Sequence, residues 1–114
     1  MIRYVTTSAW WRRALAGEPV AIKDGEPQPG YYRTKLIKNG PWVPARVWIE
    51  REVGDDGEQV NPDTFKCLIG ANEADALDRW VWLSAYPISL ADYKQLRELN
   101  APVTSTLATM PPLF

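Results

Sequence analysis

The dipeptide Asn39-Gly40, set between the β-prone runs 31–38 and 43–50, constrains this chain more than any other feature. Asn-Gly is the strongest short hairpin signal, because both residues accept the positive φ that a tight turn requires. Pro41 follows at once and has no amide to give a ladder. A four-residue loop therefore stands beside the two-residue turn as an equal candidate. Both loop lengths are even and strand side chains alternate with period two, so the division into faces is the same for either. One face takes Tyr32, Thr34 and Leu36 with Val43, Ala45, Val47 and Ile49, and is expected to be core. The other takes Tyr31, Arg33, Lys35 and Ile37 with Trp42, Pro44, Arg46 and Trp48.

That second face carries the functional expectation. A two-residue turn puts Arg33 opposite Arg46 and Tyr31 opposite Trp48, whereas a four-residue loop puts Lys35 opposite Arg46. In either register two like charges oppose each other, which destabilises the pair unless an anion or carboxylate offsets it. Cations interleaved with aromatic rings suit phosphates, stacked bases or an acidic protein surface. Tyr31, Arg33, Lys35, Trp42, Arg46 and Trp48 are accordingly the candidate binding residues. The competing expectation is internal: Glu18, Glu26 or the acidic segment after residue 50 folds over this face and satisfies it.

The remaining segments supply a frame. Ser8 is a candidate N-cap for a helix through Ala16, with Trp11, Ala14 and Leu15 on one side and Gly17 to stop it. Residues 20–23 suit a brief strand and 24–30 a loop. A third hairpin-connected strand is expected at 64–69, where Phe65, Cys67 and Ile69 alternate with Thr64, Lys66 and Leu68. Residues 80–83 suit a fourth strand better than the end of a helix starting near Ala74; as a strand they send Trp80 and Trp82 to one face. Ser89, with Asp92 three residues on, opens a helix bearing Leu90, Tyr93, Leu96 and Leu99, which Asn100 and Pro102 should end. The expectation is one α+β domain over residues 1–114. It is an antiparallel three- to four-stranded meander packed against one or two short helices, with its core over 8–100 and an extended tail over 101–114.

Composition removes several function classes. With 114 residues, no histidine and one cysteine, there is no disulfide, no usual zinc set and no Ser/His or Cys/His nucleophilic pair. The acidic residues Glu50, Glu52, Asp55, Asp56, Glu58 and Asp63 lack the spacing of an EF-hand. They are expected to be solvated, with mimicry of nucleic-acid phosphates as the rarer reading. Gly54-Asp55-Asp56-Gly57 lacks the spacing and the lysine of a phosphate loop. No catalytic residues, metal or cofactor are expected. Nine basic residues against four acidic ones up to Arg51 give +5, and four against ten thereafter give −6, so the net charge of −1 hides two poles. No apolar run approaches the ~18 residues of a membrane span, and residues 1–11 do not read as a signal peptide. A soluble, cytoplasmic protein is expected.

The stretch Pro29-Gly30-Tyr31-Tyr32-Arg33, then Lys38-Asn39-Gly40-Pro41-Trp42-Val43-Pro44-Ala45-Arg46-Val47-Trp48, then Pro87-Ile88-Ser89 with Asp92-Tyr93 and Leu96, resembles a group of small uncharacterised phage and prophage proteins. The Gly-Pro-Trp-Val-Pro-Ala-Arg segment is its most specific part. The resemblance implies a phage-borne accessory protein in a bacterial host cell and no particular activity. By analogy with small phage proteins that act by binding, the expected function is inhibition of a host protein, such as a CRISPR effector or another anti-phage defence component. The alternatives are a nucleotide-binding sponge that sequesters a linear or cyclic nucleotide, and a weak nucleic-acid-binding module. Spare aromatic residues make a homodimer a reasonable state.

Overall fold

The computed structural model describes residues 1–22 and 25–109, with 101–109 as backbone alone. Five strands make one antiparallel sheet: β1 (Ile2–Val5), β2 (Gly30–Lys35), β3 (Trp42–Glu52), β4 (Thr64–Ile69) and β5 (Asn72–Ala74). Helix α1 (Ala9–Leu15) lies between β1 and β2 in the chain, while α2 (Ala76–Leu83) and α3 (Leu90–Thr109) follow β5. The α+β class is as expected, with more strands than the meander required.

Strand β3 organises the sheet. One of its edges is shared end to end, Trp42 to Val47 pairing with β2 and Ile49 to Glu52 with β1, while β4 takes the other edge. The sheet thus begins at residue 2, ahead of the expected core boundary at residue 8. Pro44 sits in this middle strand without disrupting it. The amide of its cross-strand partner Arg33 points outward, donating to the Tyr86 carbonyl at 3.1 Å. In such a non-hydrogen-bonded pair neither amide belongs to the β2–β3 ladder. On the other side β4 ends opposite Ala45, and Gly70 N–H donates to the Pro44 carbonyl at 2.7 Å. Gly70, at φ +63°, then turns the chain with Ala71 into β5, a conformation glycine adopts without a Cβ penalty.

The β2–β3 connection is wider than either expected loop. Lys35 pairs with Trp42, leaving residues 36–41 to make the turn. Asn39 does adopt a positive φ of 63°, and Gly40 N–H donates to the Ile37 carbonyl at 3.0 Å. Pro41, with no amide to donate, keeps the ladder from closing on that turn. Leu36 therefore leaves the core face and is exposed, as is Ile37. Because six is also even, the division of faces survives. Tyr32, Val43, Ala45, Val47, Cys67 and Ile69 gather with Trp11, Ala76, Trp80 and Leu83 in one core.

Residues 80–83 are the last turn of α2 and not a strand. Asp75 decides this, its Oδ1 accepting from the amides of Leu77 and Asp78 at 2.9 and 3.2 Å, an N-cap that no strand could use. Helical spacing then buries Ala76, Trp80 and Leu83 together and separates the two indoles. Trp80 packs edge-on against Tyr32 and Trp10, at 5.5 and 5.2 Å between centroids. In α1, Ser8 Oγ accepts from Trp11 N–H at 3.1 Å, as its capping role predicts. Residues 20–22 form no strand: the Ala21 carbonyl accepts instead from Trp10 Nε1 at 2.7 Å. Lys23 and Asp24, the ends of the expected strand and loop, lie outside the described residues.

Helix α3 opens on the Ser89 cap, whose Oγ accepts from Asp92 N–H at 3.0 Å. It runs past Asn100 and through Pro102, so the extended arm expected from residue 101 is absent up to Thr109. Pro102 removes one amide, but 103–109 hold neither Gly nor Pro to stop the helix. The rest of the expected tail, 110–114, lies outside the described residues. No helix of the described residues is long and apolar enough to cross a membrane.

Cys67 is buried and unpaired, and burial pushes its thiol up to about 11 from an ordinary 9.0. Since the thiolate is the reactive form, the native protein should react with a disulfide reagent at pH 8 far more slowly than the urea-unfolded chain. The raised value also sets a sign: the stability Cys67 contributes is present below its unfolded pKa and is lost as pH rises through about 11. Equal rates for folded and unfolded protein would contradict this burial.

Candidate cationic–aromatic site

The face opposite the Tyr32 core was expected either to be free for a partner or to be covered by the chain's own acidic residues, and it is covered in part, by a helix. Tyr31 rests against Tyr93 of α3 at 4.9 Å between centroids and against Trp11 at 5.6 Å. Pro44 on the same face is fully buried. Helix α3 therefore covers this face, while α2 lies on the other. The reason lies in the helix stripe, where Tyr93 is buried and Leu96 half-buried, against Leu90 and Leu99 left exposed. The edge of β2 is closed too: Arg33 N–H donates to the Tyr86 carbonyl, and Ile88 N–H donates to that of Tyr31 at 2.9 Å. Trp11 Nε1 seals the junction by donating to the carbonyls of Tyr31 and Ile88 at 2.9 and 3.1 Å.

The six candidate residues consequently fall into two groups. Tyr31, Arg46 and Trp48 are half-buried. The Arg46 guanidinium lies 4.6 Å from the Trp48 ring centre, and its Nε is buried without a hydrogen-bond partner. Burial raises the Tyr93 phenol above its usual range, with the charges of Arg46 and Arg97 opposing that rise. The second group is the exposed Arg33 and Lys35 gathered on the half-buried Trp42. The Arg33 guanidinium sits 4.2 Å from the Trp42 centroid and 5.8 Å from that of Tyr86, and Lys35 Nζ sits 4.7 Å from Trp42. Tyr86 meets Trp42 edge-on at 4.8 Å.

The opposition of like charges expected on this face does not occur. The six-residue connection shifts the register by two from the two-residue turn and by four from the four-residue loop, placing Arg33 opposite Pro44, Lys35 opposite Trp42 and Tyr31 opposite Arg46. Cations thus meet rings across the strands, an arrangement worth ~0.5–1 kcal/mol per contact at exposed sites. Trp48 has passed the end of β2 and lies across from Lys66 of β4. A like-charge pair does arise elsewhere, Arg3 opposite Arg51, and there the chain supplies the offset. Asp63 accepts from Arg51 Nε and Nη2, both at 2.9 Å, and the Arg51 hydrogen bond lowers its carboxyl below the usual range. The acidic segment therefore folds onto a basic residue, but Arg33, Lys35 and Arg46 form no ion pair with a carboxylate among the described residues.

Beside the second group lies a cleft of about 500 Å³ under the hairpin loop. Lys35 and Trp42 form one wall, Lys38 comes from the loop, and Arg79 and Trp82 come from α2 with Tyr86 beyond it. None of its lining residues is acidic. Lys38, Arg79, Trp82 and Tyr86 were absent from the sequence-derived site. The signal for Arg79 and Trp82 was available in the Asp75 cap, since a helix starting there puts them on one side at i and i+3. Comparison of the chain with protein-family models, curated proteins and solved structures finds no match in any of the three.

Proposed function

We propose that the protein is a non-catalytic, phage-type accessory protein that binds a host protein and inhibits it, a CRISPR effector or another anti-phage defence component being the expected kind of target. The ledge of Arg33, Lys35, Trp42 and Tyr86 would receive an acidic surface of that partner. One observation carries the reading: two exposed cations are held over aromatic rings and are left without a carboxylate among the described residues. Asp92 lines a groove of about 380 Å³ with Arg33 and Trp42, yet forms no ion pair with Arg33. Cations preorganised on rings have surrendered part of their rotamer freedom before the partner arrives, which lowers the ordering cost of binding.

The test is a double charge reversal, Arg33→Glu with Lys35→Glu, carried through affinity capture from a bacterial host lysate. Wild type should retain a host protein that the double variant loses, and the retained amount should fall as salt rises. Both side chains are exposed, so the variant should unfold within a few degrees of wild type. Retention of the same proteins by both forms removes the proposal.

A further inference from the structure

The cleft beside the ledge has a chemistry of its own. Lys35, Lys38 and Arg79 place three positive charges on its walls, and no carboxylate lines it. Asp78 comes within 3.9 Å of Arg79 Nε from the outer side of α2, an exposed pair worth little. Trp82 and Tyr86, 61% and 44% exposed, both line the cleft. Leu36 and Ile37 of the hairpin loop add further uncovered apolar surface. Part-exposed rings lining a concave, positively charged hollow leave two demands unmet, one for a flat partner and one for an anion.

We infer that this cleft binds a mononucleotide, with the base stacked on the Trp82 and Tyr86 rings and the phosphate held by Lys35, Lys38 and Arg79. Three features select this ligand class. The volume of about 500 Å³ falls within the ~300–1,000 Å³ of small-molecule sites, whereas a protein partner would meet a flatter surface. Rings that offer a face and no donor pattern accept any base, so stacking supplies affinity without strong base preference. Asp75, which caps α2, and Asp78, within it, put negative charge on the turn that carries Arg79 and disfavour a longer polyanion there, so one nucleotide is favoured over a strand. The cleft shares Lys35 and Tyr86 with the ledge, but Arg79 and Trp82 belong to the cleft alone, so variants at those two positions test this inference apart from the protein-partner reading.

The experiment is a thermal-shift titration of the full chain with AMP, GMP, CMP and UMP at millimolar concentration, with adenosine and inorganic phosphate as separate controls. At least one nucleotide should raise Tm by on the order of 5 °C or more, and each control alone should give under half of that shift. Arg79→Glu combined with Trp82→Ala should abolish the nucleotide shift while keeping the ligand-free Tm, and Trp82→Phe, which preserves a ring, should retain most of it. No shift with any nucleotide overturns the inference. So does a full shift from phosphate alone, or a nucleotide shift that survives the double variant. Each of these outcomes leaves the capture experiment on Arg33 and Lys35 to be judged by itself.

Discussion

Trp80→Ala should lower Tm by roughly 12–20 °C, and Trp82→Ala should leave it within a few degrees. The two residues are of one type, two positions apart on one short helix, yet helical spacing sends them opposite ways. Trp80 is 1% exposed and packed edge-on against Tyr32 and Trp10. Truncating so large a buried ring leaves a cavity on top of the lost transfer free energy, together about 3–5 kcal/mol. In a domain of this length each kcal/mol moves Tm by about 4 °C. That loss is a large part of the ~5–15 kcal/mol a domain has in hand. Trp82 is 61% exposed and lies outside the core cluster, so its truncation leaves no buried cavity and should cost far less than that of Trp80. Thermal unfolding of both variants checks the pair. Equal losses would mean that residues 80–83 are not helical as described, since an alternating strand treats the two indoles alike.

That contrast also shows what could be read ahead of the fold. The hairpin faces were legible because they depend on parity alone: two, four or six loop residues give the same partition, so Tyr32 and Val47 were core whichever turn formed. Strand β4 was legible from a similar alternation, with Phe65, Cys67 and Ile69 set against Thr64, Lys66 and Leu68. Residues 80–83 were not, because Trp-Val-Trp-Leu has the composition of a strand while the decisive signal lies five residues upstream, in the Asp75 carboxylate that caps α2. Strand β1 was missed because four residues with three exposed side chains carry little pattern, and their pairing rests on ladder bonds to β3. The site suffered most from what is non-local. No local pattern says that Tyr93 will choose the cationic face over the aliphatic one, or that a wider loop will bring Lys38 toward Arg79. The candidate cations were thus found by alternation, while the half of the site contributed by α2 waited on topology.

Gly30→Ala should cost about 3 kcal/mol and move Tm by on the order of 10 °C, although it adds a single methyl group. A Cβ built on Gly30 lies 2.3 Å from Trp11 Cγ and 2.4 Å from its Cδ1. The indole cannot give way cheaply, because its Nε1 is committed to the carbonyls of Tyr31 and Ile88, and its ring is wedged against Tyr31. Moving it would take the indole donor from the Ile88 carbonyl and leave the Tyr31 carbonyl with only the Ile88 amide, at the seam that closes the β2 edge. The same seam sets the path of residues 86–88, so the strain reaches Tyr86 and the rings on which Arg33 rests. A double-mutant cycle separates this clash from any intrinsic effect of alanine at the start of β2. In a Trp11→Ala background the atoms struck first are gone, so the further loss on adding Gly30→Ala should shrink, the remainder coming from the Cβ of residue 11 at 2.9 Å and from the φ of +158° at Gly30. An undiminished loss in that background would place the penalty in the backbone of β2, and the account of a glycine kept for the tryptophan above it would fail.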